Sequence, residues 1–153
     1  GLLSIRENMC IAKLNRGKYG MPLNKAQMKK DTQEYIDKIR VKTPNQETPI
    51  MNLSGGNQQK VLVGRWLLTE PDILIVDEPT RGIDVGAKAE IHALISELAG
   101  QGKAIIVVSS ELPEVMGVAD RIVVMHEGHM SGILDRSEFS QETIMKYATS
   151  HEE

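Results

Sequence analysis

The second half of the chain alternates short apolar blocks with segments of helical pattern, and this alternation constrains the fold more than any other feature. The blocks lie at 73–76, 104–108 and 121–125, and helices are predicted at about 86–99 and 111–117. Continuous apolar blocks of this length are typical of parallel strands that helices cover on both faces. The sequence therefore predicts an α/β fold with a mostly parallel sheet flanked by helices.

Helix signals dominate the chain ahead of the first apolar block. Ser4 and Glu7 have the spacing of a capping box, and a further helix is predicted to begin after Ser54. We expect residues 1–69 to form a helical subdomain that includes the start of this helix. Residues 70–153 are expected to form the C-terminal part of an α/β core.

Two more elements are expected after the third apolar block. Glu127 and Gly128 separate the apolar stretches 122–125 and 130–134, and this arrangement predicts a β-hairpin. A last amphipathic helix is predicted over about 141–148 and is expected to close the chain.

Two acidic residues directly follow the first apolar block. Asp77 and Glu78 would stand at the carboxyl end of a parallel strand, where open α/β sheets place their ligands. Asp77 could hold Mg²⁺ through water, since this ion keeps several waters and uses few protein carboxylates. Glu78 could act as a general base that deprotonates an attacking water. Taken alone, these two residues are a weak signal and favour the alternative interpretation, a solvated turn after a buried strand.

The segment Ser54, Gly55 and Gly56 opens the helix upstream of the acids. Glycines permit a close approach of backbone to phosphate, Ser54 offers a hydroxyl donor, and a helix N-terminus directs N–H groups at an anion. A simple Ser-capped helix start is the alternative interpretation. Further along this helix, Trp66 is expected to be a packing anchor.

Two segments resemble motifs of ATP-binding-cassette (ABC) ATPases. Residues 53–60 (Leu-Ser-Gly-Gly-Asn-Gln-Gln-Lys) resemble the signature motif, and the apolar block that ends in two acids resembles the Walker B motif. Asp84 stands where this family has its D-loop aspartate, and it could at the same time cap the following helix. The resemblance implies a partial P-loop NTPase fold and the cofactors ATP and Mg²⁺. It also implies a set of nucleotide-binding residues, namely Ser54, Gly55, Gly56, Asn57, Gln58 and Asp84. Asn57 replaces the commoner Gln, a change we expect to be tolerated.

Two departures from the family pattern bear on catalysis. The chain contains no G-x-x-x-x-G-K-S/T phosphate loop and does not begin with Met, so we expect it to be an internal or C-terminal piece of a longer polypeptide. The resemblance implies catalytic roles for Glu78 and for Ser110, which replaces the usual His. We therefore expect two unequal sites in the complete protein and no hydrolysis by residues 1–153 alone.

Four segments narrow the resemblance to the second ATPase half of monosaccharide importers of the ribose, galactose, arabinose and xylose type. The segments are 57–60, 81–88, 109–114 and 120–128. This resemblance implies an ATP-hydrolysing translocase subunit that powers sugar import, peripheral on the cytoplasmic face of a bacterial membrane. Its partners would be a second cassette in the same polypeptide, sugar permease subunits and, indirectly, a periplasmic or surface sugar-binding protein.

Net charge, apolar runs and the few cysteine and histidine residues limit which partners and sites the chain is expected to have. The net charge of −3 and pI of about 5.8 argue against a nucleic-acid-binding surface, so no nucleic-acid partner is expected. No apolar run approaches the roughly 20 residues of a membrane helix. The single cysteine, Cys10, cannot form an internal disulfide. The histidines are expected to be exposed bystanders; they are His92, His126, His129 and His151.

Two alternatives to the importer subunit stay open. One is a soluble ABC ATPase that acts on ribosomes or DNA, for which basic extensions or coiled-coil heptads would be expected. The other is a truncated, non-hydrolytic cassette that only binds partners, and the intact Glu78 argues against it.

Overall fold

The computed structural model describes residues 3–149, which form two compact units that divide between Ile106 and Val107. Each predicted helix and strand is present, with bounds within about two residues of those expected from the pattern. The helices are α1 (Ile5–Asn15), α2 (Lys25–Lys38), α3 (Gly55–Leu67), α4 (Val85–Gly100), α5 (Leu112–Val118) and α6 (Gln141–Thr149), and the strands are β1 (Ile73–Asp77), β2 (Ala104–Val108), β3 (Arg121–His126) and β4 (His129–Asp135).

Helix α1 begins at the predicted capping box and is tied to α3. The Glu7 backbone N–H donates to Ser4 Oγ at 3.2 Å, and the Ser4 N–H donates back to Glu7 Oε2 at 2.8 Å. Arg65 of α3 donates through Nε to the Asn8 carbonyl at 2.9 Å and through Nη2 to Asn8 Oδ1 at 2.7 Å. These bonds satisfy polar groups next to an apolar contact, where unpaired donors would be costly.

The core of the first unit joins the helical segment to the strand-containing segment. Ile5, Val61 and Leu98, from α1, α3 and α4, lie in one buried cluster together with Leu74 of β1. The cluster therefore crosses residue 70, where we expected a helical subdomain to give way to the α/β core. The predicted division into subdomains 1–69 and 70–153 stays a prediction. Residues from both sides of this boundary share one apolar core.

The strands β1 and β2 pair with each other and are connected by α4, which makes a βαβ unit. Leu74 is buried and Val76 packs against the core, whereas Ile73 and Ile75 are 60% and 64% exposed. Alternate side chains of a strand point to opposite faces, so helices cover one face of β1 and leave the other open. The α/β fold class is confirmed, but the expected coverage of both faces is met on one face only.

The second unit contains the predicted hairpin. Strands β3 and β4 are antiparallel, with His126 opposite His129. The two residues between them have positive φ, 46° at Glu127 and 84° at Gly128, as a tight hairpin turn with right-handed strand twist requires. Side chains of β3, β4 and α6 form a separate apolar cluster around Ile122.

One expectation about side-chain burial is wrong, and another is met in part. Trp66 is 52% exposed and is therefore no packing anchor, because the buried stripe of α3 runs through Val63 and Leu67 on another face of the helix. Among the histidines, His129 is exposed, His92 and His126 are half-buried, and His151 lies outside the described residues.

Between residues 3 and 149 no helix is both long and apolar enough to span a membrane.

A buried carboxylate holds α1, α2 and their connection together. Asp31 accepts hydrogen bonds from Lys13 Nζ at 2.6 Å, Tyr19 Oη at 2.9 Å and Gln27 Nε2 at 2.6 Å. Burial by itself raises the pKa of Asp31, but the bonds from Lys13, Gln27 and Tyr19 together lower that pKa below its ordinary value. The ionised form is therefore the one that the folded chain stabilises.

We expect Asp31→Asn to lower the free energy of unfolding at pH 7 by about 1–3 kcal/mol, because Lys13 loses its charged acceptor. With its native pKa lowered, Asp31 contributes fully above the ordinary pKa of 3.8. This contribution is lost as pH falls through the lowered native value. Urea unfolding of both proteins from pH 7 downward should show the difference closing in acid. Asp37→Asn, at an exposed position of α2, is the control and should change the free energy of unfolding by less than about 0.5 kcal/mol. A difference for Asp31→Asn that stays constant with pH would contradict this account.

Candidate functional site

The first turn of α3 lies against the segment that leads into α4. A methyl group placed on Gly55 would come within 3.1 Å of Ile83 Cγ2, and one on Gly56 would come within 2.6 Å of Ala87 Cβ. Because carbon atoms do not pack at the second distance, the Ala87 methyl occupies the space that a side chain at position 56 would need. Gly56 is therefore required by helix packing, independently of the role in phosphate approach expected from the sequence.

The start of α4 is capped by Asp84. Its Oδ1 accepts a hydrogen bond from the Ala87 N–H at 3.0 Å, and its carbonyl accepts from the Lys88 N–H at 2.9 Å. The expected capping role is thus confirmed. The D-loop role of Asp84 stays a prediction.

The beginnings of α3 and α4 enclose an open depression of about 280 Å³. It brings together Ser54, Gly56, Asn57 and Asp84 of the predicted nucleotide-binding set, whereas Gly55 and Gln58 do not line it. Gln58 turns its Nε2 back to the Leu53 carbonyl at 2.9 Å. The full lining is Lys42, Ser54, Gly56, Asn57, Asp84, Gly86, Ala87 and Glu90.

A chain of hydrogen bonds links Ser54 to the loop before α3. The Lys42 backbone N–H donates to Asn57 Oδ1 at 2.8 Å, and Asn57 Nδ2 donates to Ser54 Oγ at 2.8 Å. Ser54 is the N-terminal cap residue of α3, but its side chain accepts no cap bond from the helix backbone. Helix α3 therefore does begin after Ser54, as expected, but without the side-chain hydrogen bond of a simple Ser cap.

An ion cluster that sequence reasoning missed includes two residues of this lining, Lys42 and Glu90. Lys60 is 5% exposed and donates to Glu90 Oε2 at 2.7 Å and to the Arg40 carbonyl at 3.1 Å. Lys42 Nζ donates to Glu90 Oε1 at 3.1 Å, and these bonds from Lys60 and then Lys42 lower the pKa of Glu90. A lysine on the apolar stripe of α3 signals a buried ion pair, since a buried charge needs a partner. The pattern alone could not show that the partner is Glu90.

The two acids of the strand end occupy a different surface. Asp77 is the last residue of β1 and is exposed, and Glu78 follows with φ of 45°. Neither lines the depression at Ser54. A non-glycine residue in the left-handed region costs about 1–2 kcal/mol, which marks an abrupt turn directly after the strand. The predicted placement at the carboxyl end of a strand is confirmed, while the roles of both acids stay predictions.

Ser110, the remaining predicted site residue, belongs to the second unit. It is exposed and lies in the connection between β2 and α5. In the same connection the Glu111 N–H donates to Ser109 Oγ at 3.1 Å. The catalytic role of Ser110 stays a prediction.

The exposed carboxylate of Asp77 fits the needs of a nucleotide-bound magnesium ion, which uses few protein ligands. Among residues 3–149 no group of three His, Cys, Asp or Glu side chains could hold a metal. Mg²⁺ typically binds through one or two carboxylates, with waters and phosphate oxygens completing its shell. An exposed Asp77 is suited to be such a single carboxylate.

The family model described as ABC transporter matches residues 2–81, more than half of the chain. This chain belongs to the ABC transporter family. The matched region contains the whole signature segment, β1 and the two acids that follow it. The family resemblance inferred from these motifs is thereby confirmed.

Relatives within the family are sugar-import proteins by name. The chain is 58% identical over 148 residues to a ribose/galactose/methyl galactoside import ATP-binding protein of Hahella chejuensis, a match that covers 95% of this chain and 28% of that protein. It is 55% identical over 147 residues to the ribose import ATP-binding protein RbsA of Clostridium perfringens, covering 95% and 29%. The chain thus spans less than a third of the length of these relatives, and its predicted similarity to monosaccharide importers is confirmed.

Solved structures of ABC cassettes have the same fold. A nucleotide-free ATP-binding cassette from an ABC transporter matches with a TM-score of 0.79 and 20% identity, covering 98% of this chain and 64% of that one. A dimeric cassette in a post-hydrolysis state with ADP and Pi matches with a TM-score of 0.73 and 24% identity, covering 90% and 59%. The expected partial P-loop NTPase fold is therefore confirmed.

We expect Gly56→Ala to lower the free energy of unfolding by about 1–3 kcal/mol, because the added methyl forces α3 away from Ala87. A second variant, Gly56→Ala/Ala87→Gly, tests this cause because it removes the methyl that the new one would meet. Urea unfolding should show that the double variant regains part of the lost free energy of unfolding. Gly100→Ala, where a methyl would meet nothing within 4 Å, is the control. Equal losses in the single and double variants would show that the contact with Ala87 is not responsible.

Proposed function

We propose that this chain is the C-terminal part of the second ATPase cassette in an ATP-binding subunit that powers import of a simple sugar. The observation that carries the proposal is 58% identity, over 95% of the chain, to a ribose/galactose/methyl galactoside import ATP-binding protein. The signature segment and the β1 acids supply the two motifs that such an ATPase needs. ATP is the nucleotide, bound at the interface of two cassettes.

In this proposal the chain contributes to two different ATP sites. Ser54, Gly55 and Gly56, together with Asn57, Gln58 and Asp84, face the nucleotide held by the partner cassette. Asp77, Glu78 and Ser110 serve the site of their own cassette. The separation between the depression at Ser54 and the end of β1 supports this division, since neither acid lines that depression.

The chemistry assigned to each group follows from its atoms. Glu78 accepts a proton from the attacking water, and Asp77 would hold the nucleotide's Mg²⁺ through water. The Mg²⁺ ion, when bound, neutralises charge on the phosphate oxygens. Ser110 is uncharged and shorter than the usual His, so we expect its site to hydrolyse ATP more slowly than the site completed by this chain's signature.

The proposed partners are those of an import ATPase. They are a second cassette in the same polypeptide, sugar permease subunits in the membrane, and a sugar-binding protein that acts through the permease. The chain would then lie peripherally on the cytoplasmic face of a bacterial membrane. The names of the relatives, which are import ATP-binding proteins, support this assignment. No nucleic acid takes part.

The direct test is sugar uptake by the complete transporter in proteoliposomes. We expect ATP-dependent accumulation of labelled ribose or galactose, and ATP hydrolysis that rises when the loaded sugar-binding protein is added. ATP hydrolysis stimulated by ribosomes or DNA instead would favour the soluble ABC ATPase. Binding to the membrane subunits without hydrolysis would favour a cassette that only binds partners.

The chain by itself should not hydrolyse ATP. Residues 1–153 lack the lysine and the run of N–H groups with which a phosphate loop binds the β- and γ-phosphates. We expect phosphate release from ATP by the purified chain to equal that of its Glu78→Gln variant, which serves as the control for contaminating ATPases. Release that depends on Glu78 would refute this prediction.

The proposed inequality of the two sites predicts unequal effects of the same substitution. In the complete transporter, Glu78→Gln should lower ATP hydrolysis less than the matching Glu→Gln change in the partner cassette, because the Ser110 site is the slower one. Steady-state phosphate release measures both, and Glu34→Gln at an exposed position of α2 is the control. If both changes abolish hydrolysis equally, the inequality is wrong.

A further inference from the structure

We propose that Asn57 is a positioning residue that holds the Ser54 hydroxyl ready to donate a hydrogen bond to a terminal phosphate. The inference rests on the proposed function, in which Ser54 meets the nucleotide of the partner cassette. It assigns to Asn57 an action through Ser54, in addition to its place in the proposed nucleotide-binding set.

The orientation of the Asn57 amide is determined by its first partner. The Lys42 backbone N–H can only donate, so the amide atom that it meets at 2.8 Å must be the oxygen. The amide NH₂ is then the group that faces Ser54, with Nδ2 2.8 Å from Oγ. The Lys42 peptide therefore determines that Ser54 receives a donor and not an acceptor.

This polarity decides what Ser54 can do. A hydroxyl has one proton to donate, and Ser54 Oγ uses a lone pair to accept from Asn57. Within the described residues the Ser54 side chain donates to no acceptor and makes no cap bond, so its proton stays available. Because Ser54 lines the depression, an anion in that depression is within its reach.

Both acids that line the depression are engaged within the chain. Asp84 Oδ1 accepts from the Ala87 N–H at the start of α4. The two carboxylate oxygens of Glu90 are occupied by Lys42 and by buried Lys60. Lys60 also donates to the Arg40 carbonyl, two residues before the N–H that orients Asn57. The buried cation thereby anchors the loop on which the orientation of Asn57 depends, at the same time as it neutralises the nearby acid.

A double-mutant cycle in the complete transporter tests the inference. The proteins are the wild type, Asn57→Ala, Ser54→Ala and the double variant, and the readout is kcat/KM for ATP. Asn52→Ala, in the exposed turn before α3, is the matched control and should leave kcat/KM unchanged. Thermal unfolding of each variant establishes that it is folded.

We expect Asn57→Ala to lower kcat/KM about tenfold in the wild-type background, as for the loss of a hydrogen bond to a charged group. In the Ser54→Ala background, Asn57→Ala should lower kcat/KM by less than about twofold, because the Ser54 hydroxyl that Asn57 orients is already absent. Equal factors in both backgrounds would overturn the positioning role, since a purely structural residue acts whether or not Ser54 is present. An unchanged kcat/KM for Asn57→Ala would overturn it too. A wild-type transporter without ATP hydrolysis would instead refute the proposed function itself.

Discussion

The close approach of α3 to α4 at Gly56 is the contact on which the candidate site depends. With 2.6 Å between a methyl group placed on Gly56 and Ala87 Cβ, only a glycine lets the two helix starts meet. This contact places Ser54 and Asp84 on the walls of one depression and sets the stripe of α3 on which Lys60 is buried. The geometry of the signature segment is therefore a consequence of helix packing as much as of its own sequence.

Burying Lys60 has a second consequence, since a cation removed from water needs charged and polar partners. Glu90 and the Arg40 carbonyl supply them, and Glu90 also binds Lys42. A single ion cluster thus connects α3, α4 and the loop before α3. That loop carries the Lys42 N–H that donates to Asn57, and Asn57 in turn donates to Ser54. The ion cluster is therefore connected to the Ser54 hydroxyl through two hydrogen bonds.

The two halves of the proposed chemistry are separated by the geometry of the strand. Asp77 ends β1 at an exposed position, and the positive φ of Glu78 turns the chain away from the strand direction at once. The signature residues are gathered about the starts of two helices instead. In the arrangement that we propose, each ATP site is built between two cassettes, and this separation lets one chain serve two nucleotides.

The sequence by itself determined the order and type of the helices and strands, because apolar periodicity and capping residues such as Ser4 and Asp84 act over a few neighbouring positions. It also identified the family, since the signature segment and Asp77-Glu78 are local motifs. The exposure of Trp66 and of one face of β1, the pairing of Lys60 with Glu90, and the bond from Lys42 to Asn57 were decided only by the tertiary structure. Each of these features depends on which residues distant along the chain become neighbours. Periodicity along one helix or strand shows which of its faces is apolar, but not which other element packs against that face.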